Sequence, residues 1–186
     1  MQQLSDADLV RRAQSDDSEA IGLLFDRHHW RIFRYIRARI FDTQTAHDIT
    51  GEVFLRMVAN IHTFQPRGIP FTAWLYRIAH NYLADHINKE SRMTIVPMVE
   101  ESITAHTAVN PVAVLEQKLE SEALLEALDN LKEIEREVLI LRFLAGFSLR
   151  ETADAVDKTV SAVKAVQFRG LKAMQLLFSS NSRQMP

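Results

Sequence analysis

Apolar residues recur at spacings of three and four along most of this chain, and almost nowhere at the spacing of two that a strand shows. The pattern predicts helices from about Leu4 to Gln14, Ser18 to Ile40, Thr43 to Ile61 and Phe71 to Lys89. It resumes from about Val114 to Leu128, Lys132 to Leu144, Leu149 to Val156 and Val160 to Leu177. Between the two sets, from Met93 to Val114, the periodicity fades and Pro97 and Pro111 appear, which reads as a linker. The expected fold is therefore all-α. Two small helical domains, 1–92 and 116–178, are joined by a flexible linker, 93–115, and followed by a tail, 179–186. Sequence leaves the relative placement of the two domains open.

The last two predicted helices have the form of a helix-turn-helix. Ser148 stands at an N-cap position, Leu149, Ala153 and Val156 form a short apolar stripe, and Asp157, Lys158 and Thr159 make the turn. At about 100° per residue, Val160, Val163, Val166, Gly170, Leu171 and Met174 of the second helix face inward. Ser161, Lys164, Ala165, Phe168, Arg169 and Lys172 face outward. An aromatic ring on a basic outward face has no core to enter, but it suits a thymine methyl or a sugar edge. Charge agrees: from Lys158 onward the chain carries Lys158, Lys164, Arg169, Lys172 and Arg183 and no acid. Residues 116–157 carry eleven acids against five bases, so that part cannot approach phosphates broadside.

The first helical set offers three faces. On the helix from Ser18, Ile21, Leu24, Phe25, His28, Ile32, Tyr35 and Ile36 are expected inside. Arg27, Arg31 and Arg34 align on a flank that Arg37 and Arg39 extend, read first as a solvated charged face. On the next helix Ala46, Ile49, Val53, Phe54, Met57 and Ile61 form the core stripe. Leu55 projects opposite them, among Asp48, Glu52 and Ala59, as a partner surface would. On the helix from Phe71 the residues Trp74, Arg77, Asn81 and Asp85 run along one edge, while Tyr82 is expected in the core. An indole to stack, a cation for phosphate, and an amide and carboxylate to read base edges would together suit single-stranded nucleic acid.

Bulk properties narrow the choice. The 186 residues, 47% hydrophobic with a net charge of −2, suffice for two small cores. The absence of cysteine excludes disulfides, thiolate catalysis and Cys-based zinc sites from this sequence. Neither a leader-like N-terminus nor a membrane-length apolar run is visible, so a soluble, cytoplasmic protein without membrane insertion is expected.

Residues 46–90, AHDITGEVFLRMVANIHTFQPRGIPFTAWLYRIAHNYLADHINKE, resemble regions 2.2 to 2.4 of the bacterial RNA polymerase sigma factors of the extracytoplasmic-function group, the minimal two-domain branch of the sigma-70 family. Leu131 to Met174 resembles region 4 of the same family. The resemblance implies a transcription initiation factor with core RNA polymerase and promoter DNA as partners, no cofactor and no enzymatic activity. It assigns Asp48, Glu52, Phe54 and Leu55 to docking on polymerase. Phe64, Arg67, Trp74, Arg77, Asn81 and Asp85 are assigned to melted −10 DNA, and Ser161, Lys164, Ala165, Phe168, Arg169 and Lys172 to the −35 major groove. No sensor module follows region 4, which leaves control to another protein, an anti-sigma factor being the candidate.

Two departures stand out. Family members often carry Gln where this chain has Gly51 and Pro where it has Lys132. The competing reading is a polymerase-independent helix-turn-helix regulator whose first domain dimerises on symmetric half-sites. A metal hydrolase built on His28, His29, His80, Asp85 or His86 fits poorly, because no pair has HExxH spacing.

Overall fold

The computed structural model describes residues 4–65, 69–93 and 124–181. Most of the expected linker, the tail after Asn181 and Arg67 lie outside them. Among the described residues every regular element is helical. The first module holds α1 (Asp6–Ala13), α2 (Ser18–Arg37), α3 (Thr43–Asn60), a 3₁₀ turn (Ile61–Thr63) and α4 (Phe71–Met93). The second holds a helical stretch over 124–129, α5 (Glu133–Leu139) running into a π-turn (Ile140–Leu144), α6 (Leu149–Ala155) and α7 (Val160–Asn181).

Each start has a local chemical cause. The Ser5 hydroxyl accepts from the Asp8 amide, and the Asp8 carboxylate accepts from the Ser5 amide, a reciprocal cap that satisfies two otherwise orphaned donors. Asp17 accepts from the Glu19 and Ala20 amides ahead of α2, and Asp42 from the Thr45 amide ahead of α3. Pro70 sets up α4, where its carbonyl accepts from the Ala73 and Trp74 amides.

Burial follows the predicted stripes. Leu9, Val10 and Ala13 of α1, Leu24, Ile32, Tyr35 and Ile36 of α2, Ala46, Val53 and Met57 of α3, and Leu75, Ala79 and Leu83 of α4 are buried in one core. Each leucine or isoleucine so placed contributes about 1.5–3 kcal/mol relative to exposure. Polar ties fix the ends. The Gln14 amide donates to the carbonyls of Ile61 (2.9 Å) and Phe64 (2.7 Å), and Asp6 pairs with Arg27 (2.6 Å) and with buried His28 (3.0 Å).

In the second module α5 does not end as an α-helix. Ala145 bonds back to the Ile140 carbonyl and Phe147 to that of Leu141, and Gly146, at φ 71, turns the chain into α6. The turn between α6 and α7 passes through Asp157 at φ 53, a left-handed conformation that aspartate tolerates better than most residues. Val138, Ala153, Val163 and Val166 form the small core of this helix pair.

Ser148 and Glu151 cap α6 reciprocally, and Arg31 of the first module reaches the same carboxylate at 3.0 Å. Burial would raise the Glu151 carboxyl, but its bonds from Ser148 and the Arg31 charge outweigh that and hold it below the usual glutamate value. A depressed folded value means stability present above the unfolded pKa and lost as pH falls through the folded one. Acid unfolding of wild type should therefore steepen just below the ordinary glutamate range. Glu151→Gln should lose part of that dependence, as thermal melts across an acid series would show.

Candidate functional site

Three surfaces carry the candidate residues. The first lies on α3. Leu55 is 65% exposed, with Asp48 exposed two turns and Glu52 one turn before it. Beside them Ile21, Phe25, Gly51, Leu55 and Val58 line an apolar groove of about 430 Å³. Nothing lies within 4 Å of where a Gly51 Cβ would be, so the glycine leaves the groove wall open. Phe54, expected among the docking residues, is only 5% exposed and packs edge-on against Phe25 with ring centres 4.8 Å apart. It supports the groove from beneath.

Sequence reasoning placed Phe25 inside and gave Val58 no role, yet both are exposed at the rim. Phe25 stands at the border of the apolar arc, the one signal that could have marked it. The rings continue beyond the groove: Phe25 meets His29 at 4.7 Å, and Phe33 stacks on His47 at 4.3 Å. Burial and then the nearby His47 lower the His29 pKa, which favours its neutral imidazole.

The second surface is the edge of α4. Asn81 and Asp85 are exposed, and Trp74 and Arg77 are half-buried. Phe64, expected to touch DNA, is buried. Its ring centre sits 5.9 Å from that of Phe71 and 5.0 Å from that of Trp74, so it backs the indole instead of meeting solvent. Tyr82 is half-buried, with the Arg56 guanidinium 4.4 Å over its ring. Arg77 reaches across to the second module, donating to the Asp154 carbonyl at 3.4 Å.

The third surface is the outer face of α7. Ser161, Lys164, Ala165, Phe168, Arg169 and Lys172 are all exposed, Phe168 by 70%. Opposite them Val163, Val166, Gly170 and Met174 are buried. Leu171, expected inside, is 44% exposed. Arg169 lies 3.4 Å from Glu135 of α5, which fixes the side chain's lean on the helix surface. Gly170 has a packing reason: a Cβ there would sit 3.1 Å from a methyl of Leu139, so any larger residue requires the Leu139 side chain to give by a few tenths of an ångström or α7 to move off α5.

The basic flank of α2 is largely consumed internally. Arg27 bonds Asp6, Arg31 bonds Glu151, and Arg39 bonds Glu133 and Glu137. Among the described residues no group of three or more His, Cys, Asp or Glu side chains could hold a metal, and no helix is long and apolar enough to cross a membrane.

Comparison with known proteins now bears on these surfaces. The model of Sigma-70 region 2 matches residues 24–93, and that of Sigma-70 region 4 matches 121–174. BldN of Streptomyces coelicolor, an ECF RNA polymerase sigma factor, is 36% identical over 95% of this chain and 67% of its own length. The chain belongs to the extracytoplasmic-function sigma factors. SigX of Bacillus subtilis, another member, is 29% identical over 84% of this chain and 82% of its own.

The fold agrees with that assignment. The structure of CnrH in complex with the cytosolic domain of CnrY superposes with a TM-score of 0.71 at 23% identity, covering 92% of this chain and 96% of that one. The sigma factor RpoE of Bartonella quintana, solved with the anti-sigma factor NepR, gives 0.60 at 17% identity over 85% and 96%. As a sigma factor, the chain directs RNA polymerase to promoters, with core polymerase and promoter DNA as its partners.

Proposed function

We propose that the three surfaces divide the work of initiation among them. The α3 groove, with Leu55 at its rim and Asp48 and Glu52 beside it, receives an apolar and basic element of core polymerase, and Phe54 holds the groove in shape. The α4 edge captures the unpaired −10 strand, Trp74 stacking, Arg77 holding phosphate, and Asn81 and Asp85 reading a base. Arg67, in the loop before it, adds charge to that site.

The outer face of α7 enters the −35 major groove, where Lys164, Arg169 and Lys172 meet phosphates or guanines and Phe168 meets a thymine methyl or sugar. Ser161 and Ala165 let the backbone come close. The observation that carries this reading is the outward, basic and ring-bearing face of α7 on a tightly packed helix-turn-helix. No covalent chemistry is asked of any of these groups. Base capture, at about 1–3 kcal/mol per stacked base, supplies part of the opening energy, and polymerase contacts supply the rest. Control comes from a second protein, as the RpoE–NepR complex exemplifies for a relative of the same fold.

Permanganate mapping of unpaired thymines on a transcribed fragment, with core polymerase present, tests the division. Asn81→Ala should reduce reactivity at the −10 strand and leave duplex protection at −35. Lys164→Ala should weaken −35 protection roughly tenfold, in line with about 1–3 kcal/mol for such a contact. Loss of both signals with either substitution would show that the faces do not act separately.

A further inference from the structure

The end of α1 meets the aromatic floor of the α4 edge. Gln14, the C-terminal cap of α1, is half-buried and stands fifty positions before Phe64. Its side-chain amide has two N–H donors, and both of its partners are carbonyls, Ile61 at 2.9 Å and Phe64 at 2.7 Å. Two acceptors on one side fix which end of the amide points there. The Ile61 carbonyl also accepts from the Phe64 amide at 3.1 Å. Phe64 is thus pinned on both sides of its Cα, at φ −69 and ψ 125, where the chain leaves the 3₁₀ turn for an extended conformation.

What Gln14 pins is the support beneath the indole. The Phe64 ring, 5% exposed, lies 5.0 Å from that of Trp74 and 5.9 Å from that of Phe71, and Phe71 lies 5.7 Å from Trp74. α1 braces this trio a second time, because Asp6 stands 3.0 Å from His28, whose ring is 5.3 Å from that of Phe71. Aromatic contacts depend on ring plane and offset, and a side chain with loose supports presents its face over a range of planes.

Resting on the reading of the α4 edge as the surface that captures bases, we propose that Gln14 is a positioning residue for capture of the unpaired −10 strand. It acts through Phe64 and Trp74 and makes no contact of its own with DNA. By holding the Phe64 backbone it keeps that ring under the indole, and so fixes the plane on which a base stacks. Without the two donors the Phe64 carbonyl turns away, the ring slides from its place, and Trp74 spreads over several orientations.

The chain has two tryptophans, and Trp30→Phe, at an exposed position, leaves Trp74 as the reporter. In the full chain without DNA, Gln14→Glu keeps the shape of the side chain but removes the donors, and Gln14→Leu removes them without adding charge. Both should red-shift Trp74 emission and raise its quenching by acrylamide, with helical content unchanged. Gln14→Lys again offers donors to both carbonyls and should return both signals towards wild type. Arg11→Ala, at an exposed position of the same helix, should leave them as they are. With core polymerase on a transcribed fragment, Gln14→Glu and Gln14→Leu should cut permanganate reactivity of the −10 thymines roughly tenfold, the scale of one stacked base. Polymerase affinity and −35 protection should stay as in wild type, and Gln14→Lys should recover the reactivity.

Unaltered Trp74 emission and quenching in both donorless variants would overturn the tie between Gln14 and the indole. Altered emission with full −10 reactivity would overturn its part in capture. Joint loss of −35 protection and polymerase binding would reduce Gln14 to a residue that merely stabilises the fold, which also overturns the proposal, as would a lysine variant that recovers nothing. Failure of the α4 reading would show itself separately, as −10 reactivity that survives Trp74→Ala, whereas the emission signal reports the Gln14 tie in either case.

Discussion

Leu55→Asp should detach the chain from core polymerase while leaving its helical content and melting temperature nearly unchanged. At 65% exposure the leucine contributes little to the core, and surface substitutions of this kind usually stay within about 0.5 kcal/mol of wild type. At a docking surface the same residue stands on the rim of an apolar groove built by Phe25, Phe54 and Val58. A carboxylate there must be desolvated against the partner without a counter-charge at that point. A central apolar anchor is worth at least about 2 kcal/mol, which is some thirtyfold in affinity, and a buried unpaired charge adds to the loss. Pull-down or surface binding with purified core polymerase would measure it. A Leu55→Asp chain that binds as wild type does would remove α3 from the interface.

Gly170→Val should have the largest effect in the second module. A Cβ at this position would already lie 3.1 and 3.2 Å from two atoms of Leu139 and 3.4 Å from the Glu135 Cβ, and valine adds two methyls to that crowding. Overpacking of this kind costs about 1–3 kcal/mol. The strain relieves itself by lifting α7 from α5, which tilts Lys164, Phe168 and Arg169 away from the positions a major groove requires. The expected result is a lower melting temperature together with weakened −35 protection in a footprint. The first module should keep its stability and its binding to polymerase. An unaltered melt would mean that α7 tolerates a wider separation from α5 than its packing suggests.

Local patterning made much of this structure legible. Caps at Ser5, Asp17, Asp42 and Ser148 stand just ahead of the helices they start, and the apolar stripes fall on the buried sides. The outward face of α7 was readable because its six residues sit well inside one arc. Leu171 and Phe25 were misplaced because both stand at arc borders, where a difference of one neighbour decides burial.

Phe64 was misread for another reason. It joins the −10 residues through the family resemblance alone, whereas its ring is buried against Trp74 and its carbonyl is held by the Gln14 amide. The ion-pair partners of Arg27 and Arg31 in α2, and of Arg39 just past its end, are distant in sequence: Asp6, Glu151, and Glu133 with Glu137 reach them from other helices. Module placement rests on that same long-range pairing, and no periodicity encodes it.

Promoter-specific initiation depends on both modules serving one polymerase. Transcription of fragmented genomic DNA by core polymerase with and without this chain, followed by sequencing of the transcript 5′ ends, measures it directly. The expected result is a set of start sites seen only with the chain added, sharing paired upstream elements and abolished by Leu55→Asp. Identical start sites with and without the chain, alongside tight duplex binding by the chain alone, would contradict a role as an initiation factor.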